Sequence, residues 1–309
     1  MELYRTIVPS ALRLSWRQRQ LWWFALAMLW VGTVGEVELI WRSVDFGDPG
    51  LLLTLARGVR QTGLLTARGL AQALVTVRAD PLAAAKLLLV LGVLTAVVGA
   101  LTWLAMVAQG ALVTGVAYAA ADRPVSFRRS WGIGQRKFWP VLTLNAAARL
   151  LTMLVFSSLW WLRHLPPLLF VLLFVLGGLA VLGVLVGLKF AVAAVVLEDV
   201  PVRAAAARAR VLWQQRWVDH VTLAGVLSLV TATAVIALLV AVLLALMPLL
   251  LITGIARLLD FTAGVRFYFS LSWLGVAGLA ALAAVAVTTG HWAAWTMAFV
   301  RAAASPQRN

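Results

Sequence analysis

Cysteine is absent from this chain, and acidic residues are scarce: eleven Asp and Glu stand against twenty-six Lys and Arg in 309 residues. Without cysteine there are no disulfides, no thiolate nucleophile and no Cys-based metal site. The three histidines, His164, His220 and His291, lie far apart in sequence. No GxSxG, HExxH, P-loop or strand-placed GxGxxG pattern occurs. The sequence therefore predicts no catalytic constellation, no metal and no cofactor, and the chain is not expected to be an enzyme. Charge of either sign is also sparse, at 12% of residues against about 25% in an ordinary soluble domain.

What fills the chain is apolar: 63% of its residues are hydrophobic. Several runs exceed the roughly 18 residues needed to cross about 30 Å of hydrocarbon. They predict spans near 21–41, 86–107, 139–162, 167–188, 221–247 and 271–299. Solid runs point to helices, because a membrane β-barrel alternates apolar and polar residues in short segments. The predicted fold class is all-α: a polytopic membrane protein of six transmembrane helices, with interfacial amphipathic helices before spans 1, 3 and 5. Residues 1–309 read as a single integral membrane domain.

A repeat underlies that pattern. Basic, tryptophan-bearing stretches at Pro9–Trp23, Pro124–Trp139 and Pro201–Trp217 each lead into a long apolar run. PSALRLSW at 9–16 aligns without a gap on PVSFRRSW at 124–131, and Asp122-Arg123-Pro124-Val125 matches Asp199-Val200-Pro201-Val202. The unit is a cationic surface helix followed by a membrane hairpin. Residues 1–20 supply the first such helix, with Leu12 and Trp16 on one face and Arg13 and Arg17 on another.

Cation placement sets the predicted topology. With the N-terminus inside, sixteen Lys and Arg fall in inner segments and nine in outer ones, so both termini are expected in the cytoplasm. Many of the fifteen tryptophans, including Trp22, Trp41, Trp139, Trp161 and Trp217, sit near span ends as interfacial anchors. The net charge of +15 is tied to span ends and carries no nucleic-acid recognition motif, so nucleic acid is not an expected partner. Anionic lipid headgroups fit better, at about 1 kcal/mol per cation near the surface. Candidate lipid contacts are Arg13, Arg17, Arg128, Arg129, Arg203, Arg208 and Arg210; the same charges also serve simply to set topology. The N-terminal region reads as a retained anchor, because its apolar core before Ala25-Leu26-Ala27 is too short for a cleaved signal.

Residues 43–85 read as an extracytoplasmic amphipathic loop, with Leu52, Leu55 and Val59 on one helical face and three glycines interrupting the pattern. Asp80-Pro81 predicts the start of the second helix, and Pro166-Pro167 a restart after a tight turn at Arg163-His164. Pro248 is expected to end or kink the fifth span. Gly183 and Gly187 form a GxxxG pattern that permits close helix packing. Lys189 is expected to snorkel to the inner interface.

Arg149 lies about ten residues into the third span, where insertion scales put the cost of a cation at about 2.5–3.5 kcal/mol. Asn145 is one turn before it. Either Arg149 contacts a substrate or lipid phosphate, or it is a buried partner of Glu36 or Glu38; the second reading is preferred. Asp199 is expected to cap the helix that carries Arg203, Arg208 and Arg210.

The run from Lys189 through Glu198-Asp199 to Trp217, with its weaker echo at 118–139, resembles a bacterial family. That family is the six-helix membrane domain found beside glycerophosphodiester phosphodiesterases, together with its stand-alone relatives. The resemblance covers most of the chain from about residue 86 onward. It implies the membrane part alone, in a bacterial cytoplasmic membrane, because nothing here corresponds to the soluble hydrolase barrel. The expected function is a non-catalytic membrane module that organises anionic lipids or partner proteins at the inner leaflet. A transporter or lipid-moving protein with a midplane site around Arg149 is the alternative.

Overall fold

The computed structural model describes residues 3–29, 80–258 and 262–304, with positions 71 and 75. Among the described residues there is no strand. The helices are α1 (Leu3–Arg17), α2 (Leu21–Leu29), α3 (Pro81–Ala120), α4 (Phe127–Arg136), α5 (Phe138–Trp161), α6 (Pro167–Leu197), α7 (Val202–Gln215), α8 (Trp217–Leu258) and α9 (Thr262–Ala304). Five of them, α3, α5, α6, α8 and α9, are long and apolar enough to cross a membrane. Of the predicted span at 21–41, the structure describes only residues 21–29, in α2; the remainder, and the 43–85 segment as far as residue 79 apart from positions 71 and 75, lie outside the described residues.

Local sequence explains where the long helices begin. Pro81 and Pro167 each occupy the first helical position, where a missing N–H is no loss. A single 3-10 turn at Leu162–His164 separates α5 from that second proline. Pro248 does not end the fifth span: α8 continues through it to Leu258. In an apolar segment, unwinding would leave several backbone groups unpaired, whereas proline removes one hydrogen bond. Helices of 40, 31, 42 and 43 residues (α3, α6, α8, α9) reach about 45–65 Å, well beyond about 30 Å of hydrocarbon.

The repeat is visible as geometry. Asp122 and Asp199 are the two non-glycine residues with positive φ among the described residues, at 52° and 58°. Aspartate tolerates this left-handed region better than most side chains. At the first turn the Arg123 N–H bonds the Tyr118 carbonyl at 2.9 Å and the Asp122 N–H bonds Ala119 at 3.2 Å, closing the end of α3. Each left-handed aspartate is followed two residues later by proline and then by a short helix, α4 or α7. A single cationic residue, Lys137 or Arg216, then joins the short helix to the next long one. The first unit departs from this plan, because Pro9 lies inside α1 instead of ahead of it.

Contacts close the units into a ring. The returning helices α3, α6 and α9 all touch one another. Each short helix packs on the returning helix of the preceding unit: α4 on α3, α7 on α6, and α1 on α9. The last pairing joins the two ends of the chain. There the Arg301 Nη1 donates to Thr6 Oγ1 at 2.7 Å and the Ser15 hydroxyl to the Ala286 carbonyl at 3.3 Å.

Burial is concentrated at one end of this bundle, with Thr152 and Leu159 of α5 among the few buried side chains beyond it. Met106, Leu112 and Val113 of α3, Phe190, Val192 and Val195 of α6, and Trp295, Ala298 and Phe299 of α9 are buried with stripes from α1, α2, α4 and α7. At the other end Leu89, Val93, Leu172, Val175, Ile236, Leu239, Leu274 and Leu279 are exposed. Lipid tails are as apolar as leucine, so such residues lose nothing by facing them.

The closest helix approach is at Gly110 and Gly134. A Cβ on Gly134 would lie 2.2 Å from the Val107 carbonyl oxygen, and one on Gly110 would lie 3.1 Å from the Gly134 Cα. The predicted GxxxG pair is not such a contact. Nothing lies within 4 Å of a Cβ placed on Gly187, and Gly183 meets only the Trp213 ring at 3.8 Å.

Candidate functional site

The three short helices bring most of the predicted cations to the packed end. On α1, Ile7, Ala11 and Ser15 form the buried stripe, leaving Arg13 and Arg17 exposed beside exposed Leu12 and Trp16. On α4, Ser130 and Gly134 face α3 while Phe127, Arg128 and Arg129 are exposed. On α7, Ala205, Ala209 and Leu212 are buried and Arg203 and Arg210 exposed.

Arg208 is different. It is half-buried, with its Nε 3.9 Å from a Glu198 carboxylate oxygen, so it ties α7 to the end of α6. Arg129 lies over the Tyr118 ring at 4.9 Å.

Asp199 does not cap α7. The N-cap position is Pro201, and no side chain caps that end. The left-handed turn carries the Asp199 carboxylate away from the helix axis, and it accepts a hydrogen bond from the Lys137 ammonium. The elbow of one unit is thereby pinned to the turn of the next. Beside this pair, α3, α4 and α6 border an open cavity of about 440 Å³ that Arg123 and Arg136 also line.

Behind the basic surface lies a buried polar layer. The Asn145 Nδ2 of α5 donates to Gln109 Oε1 of α3 and to its own helix at Val141, both at 2.8 Å. Lys189 is 4% exposed; its Nζ lies 2.6 Å from His291 Nε2 and 5.3 Å from the Trp295 ring. It does not snorkel, because α9 supplies an acceptor inside the bundle. The Trp295 Nε1–H also reaches that same His291 nitrogen at 3.1 Å. Since indole can only donate, His291 Nε2 is an acceptor and a neutral ring carries its proton on Nδ1. On the neighbouring faces Phe190 stacks edge-on against both His220, at 4.7 Å, and Trp295, at 5.6 Å.

Sequence reading singled out Asn145 and Lys189 but missed their partners, because these come from other helices, 36 residues away for Gln109 and 102 for His291. The one visible signal was His291 and Trp295 at i, i+4 on a single helix face.

Arg149 and Asn145 part company in the structure. Asn145 is buried, whereas Arg149 one turn later is exposed among Leu150, Leu151 and Leu154. Glu36 and Glu38, its proposed partners, lie outside the described residues. Among the described residues no group of three His, Asp or Glu side chains is placed to hold a metal ion. Compared with known families, with characterised proteins and with solved structures, the chain matches none.

Proposed function

We propose that this chain is a non-catalytic integral membrane module that gathers anionic lipids at the inner leaflet of a bacterial cytoplasmic membrane. In this reading it crosses the bilayer six times, both termini are cytoplasmic, and the packed end is the cytoplasmic end. One observation carries the proposal. Arg13, Arg17, Arg128, Arg129, Arg203 and Arg210 all stand exposed on the short helices, each of which is held against a returning helix. A fixed ring of cations attracts anionic headgroups additively, at about 1 kcal/mol each, within a screening length of about 8 Å. Exposed Leu12, Trp16 and Phe127 beside those cations suit a surface that is part headgroup and part acyl chain.

The resemblance to the membrane domain accompanying glycerophosphodiester phosphodiesterases agrees with a module that has no chemistry of its own. Transport around Arg149 draws less support, because Arg149 is exposed on α5 and Asn145 is turned inward to Gln109.

The test is reconstitution into nanodiscs of mixed phosphatidylcholine and phosphatidylglycerol, followed by mass spectrometry of the retained lipid. Phosphatidylglycerol should be enriched over the input mixture, less so in high salt. The enrichment should fall when Arg13, Arg128, Arg203 and Arg210 are replaced together by Gln. Enrichment indifferent to both salt and substitution would leave these cations as topology signals and end the lipid-organising reading.

A further inference from the structure

The cavity between α3, α4 and α6 has a composition unlike the rest of the packed end. Arg123, Arg136 and Lys137 line it together with Tyr118, and the one carboxylate among its lining residues is Asp199. Lys137 satisfies that carboxylate. Arg123 and Arg136 are exposed and, among the described residues, have no ion-pair partner. Two guanidinium groups facing one hollow offer planar paired donors, the geometry that suits phosphate oxygens.

Apart from Thr114, whose hydroxyl donates to the Gly110 carbonyl of its own helix at 2.9 Å, the remainder of the lining is apolar: Ala117 and Ala121 at the end of α3, Ile133 of α4, and Val196 and Leu197 of α6. At about 440 Å³ the cavity falls within the roughly 300–1,000 Å³ range of small-molecule sites and is several times larger than a bare phosphate requires. An occupant that fits both walls has an anionic head and an apolar neighbouring part.

The cavity also belongs to the repeat. Arg123 follows the left-handed Asp122, and Lys137 is the elbow residue whose partner Asp199 is the second left-handed aspartate. Two turns that the sequence repeats thus frame one hollow. Arg129 over the Tyr118 ring holds that wall in place.

We propose that this cavity binds one anionic phospholipid per chain, its phosphate held by Arg123 and Arg136 and its glycerol and upper acyl carbons against Ile133, Val196 and Leu197. The site rests on the lipid-organising reading but differs from it in kind: it is saturable and stoichiometric, whereas the surface cations concentrate lipid diffusely.

Native mass spectrometry of the full chain in detergent tests it by titration with phosphatidylglycerol. The expected result is one saturable adduct whose apparent Kd rises at least tenfold in Arg123→Gln/Arg136→Gln and is unchanged in Lys86→Gln, an exposed cation near the start of α3. Ala121→Leu, at an exposed position, fills the cavity without altering charge and should weaken the adduct too, so the proposal survives poor folding of the arginine variant. Inorganic phosphate is the second probe. If it binds the detergent-solubilised protein in an Arg123- and Arg136-dependent way while phosphatidylglycerol does not, the lipid assignment is overturned. An adduct equally strong in both cavity variants also overturns it. Should the cavity variants change nothing while salt-sensitive enrichment in nanodiscs still falls with the surface substitutions, this site fails and the broader reading stands. Loss of both effects in the native protein removes both.

Discussion

Lys189 and His291, 102 residues apart, meet inside the bundle with 2.6 Å between the ammonium nitrogen and the imidazole Nε2. The contact joins the returning helices of the second and third units, and Trp295 braces it from one turn further along α9. A buried ammonium next to a neutral acceptor makes the two partners unequal. Removing the acceptor takes away a partner of a buried ammonium, and removing the charge leaves an acceptor that Trp295 still satisfies. His291→Ala should therefore destabilise the protein by about 1–3 kcal/mol, and Lys189→Met by less. Thermal unfolding in detergent, followed by circular dichroism, reads the difference; equal losses would mean that the pair is not what holds α6 to α9.

Glycine substitutions separate real helix contacts from apparent ones. Gly134→Ala places a methyl 2.2 Å from the Val107 carbonyl, a backbone atom that cannot turn aside, and should cost about 1–3 kcal/mol or detach α4 from α3. Gly187→Ala meets nothing within 4 Å and should be neutral, or stabilising by about 0.5–1 kcal/mol through helix propensity. Melting temperatures in the reverse order would contradict the observed crossing.

The Asn145–Gln109 bond should behave as a mutually dependent pair. Asn145→Leu leaves the buried Gln109 amide without its donor and should cost about 1–3 kcal/mol. The double variant Asn145→Leu/Gln109→Leu removes both polar groups and should recover much of that loss, which a double-mutant cycle measures. Arg149→Leu, on the exposed side of α5, should disturb folding less than Asn145→Leu.

Topology is open to direct labelling, since the native chain has no cysteine to remove. Single cysteines at Arg128 and Arg210, both exposed, should react with impermeant maleimide only from the cytoplasmic side, and one at Arg68 only from outside. Cytoplasmic labelling at Arg68 would sink the six-span proposal, because it requires an odd number of crossings elsewhere.

Much of the architecture is written locally in the chain. Five of the six long apolar runs, prolines 81 and 167 at helix starts, and the recurrence of Asp-x-Pro-Val at 122 and 199 are properties of neighbouring residues, and each of these corresponds to an observed helix or turn. Local reading failed where two local outcomes compete. Asp199 sits where a capping residue belongs, but its left-handed backbone sends the carboxylate to Lys137. Pro9 aligns with Pro124, yet α1 begins six residues before it.

Tertiary structure alone decided which apolar residues form the core and which face outward. Leu89 and Leu112 lie on the same helix and are chemically identical, yet one is 67% exposed and the other fully buried. In a membrane both environments are equally apolar, so hydrophobicity carries no information about the choice. The choice follows from close approach, as at Gly110 and Gly134, and from the few polar pairs that must find partners: Gln109 with Asn145, and Lys189 with His291. Those partners come from separate helices, and their meeting depends on the register between helices, which no stretch of sequence specifies by itself.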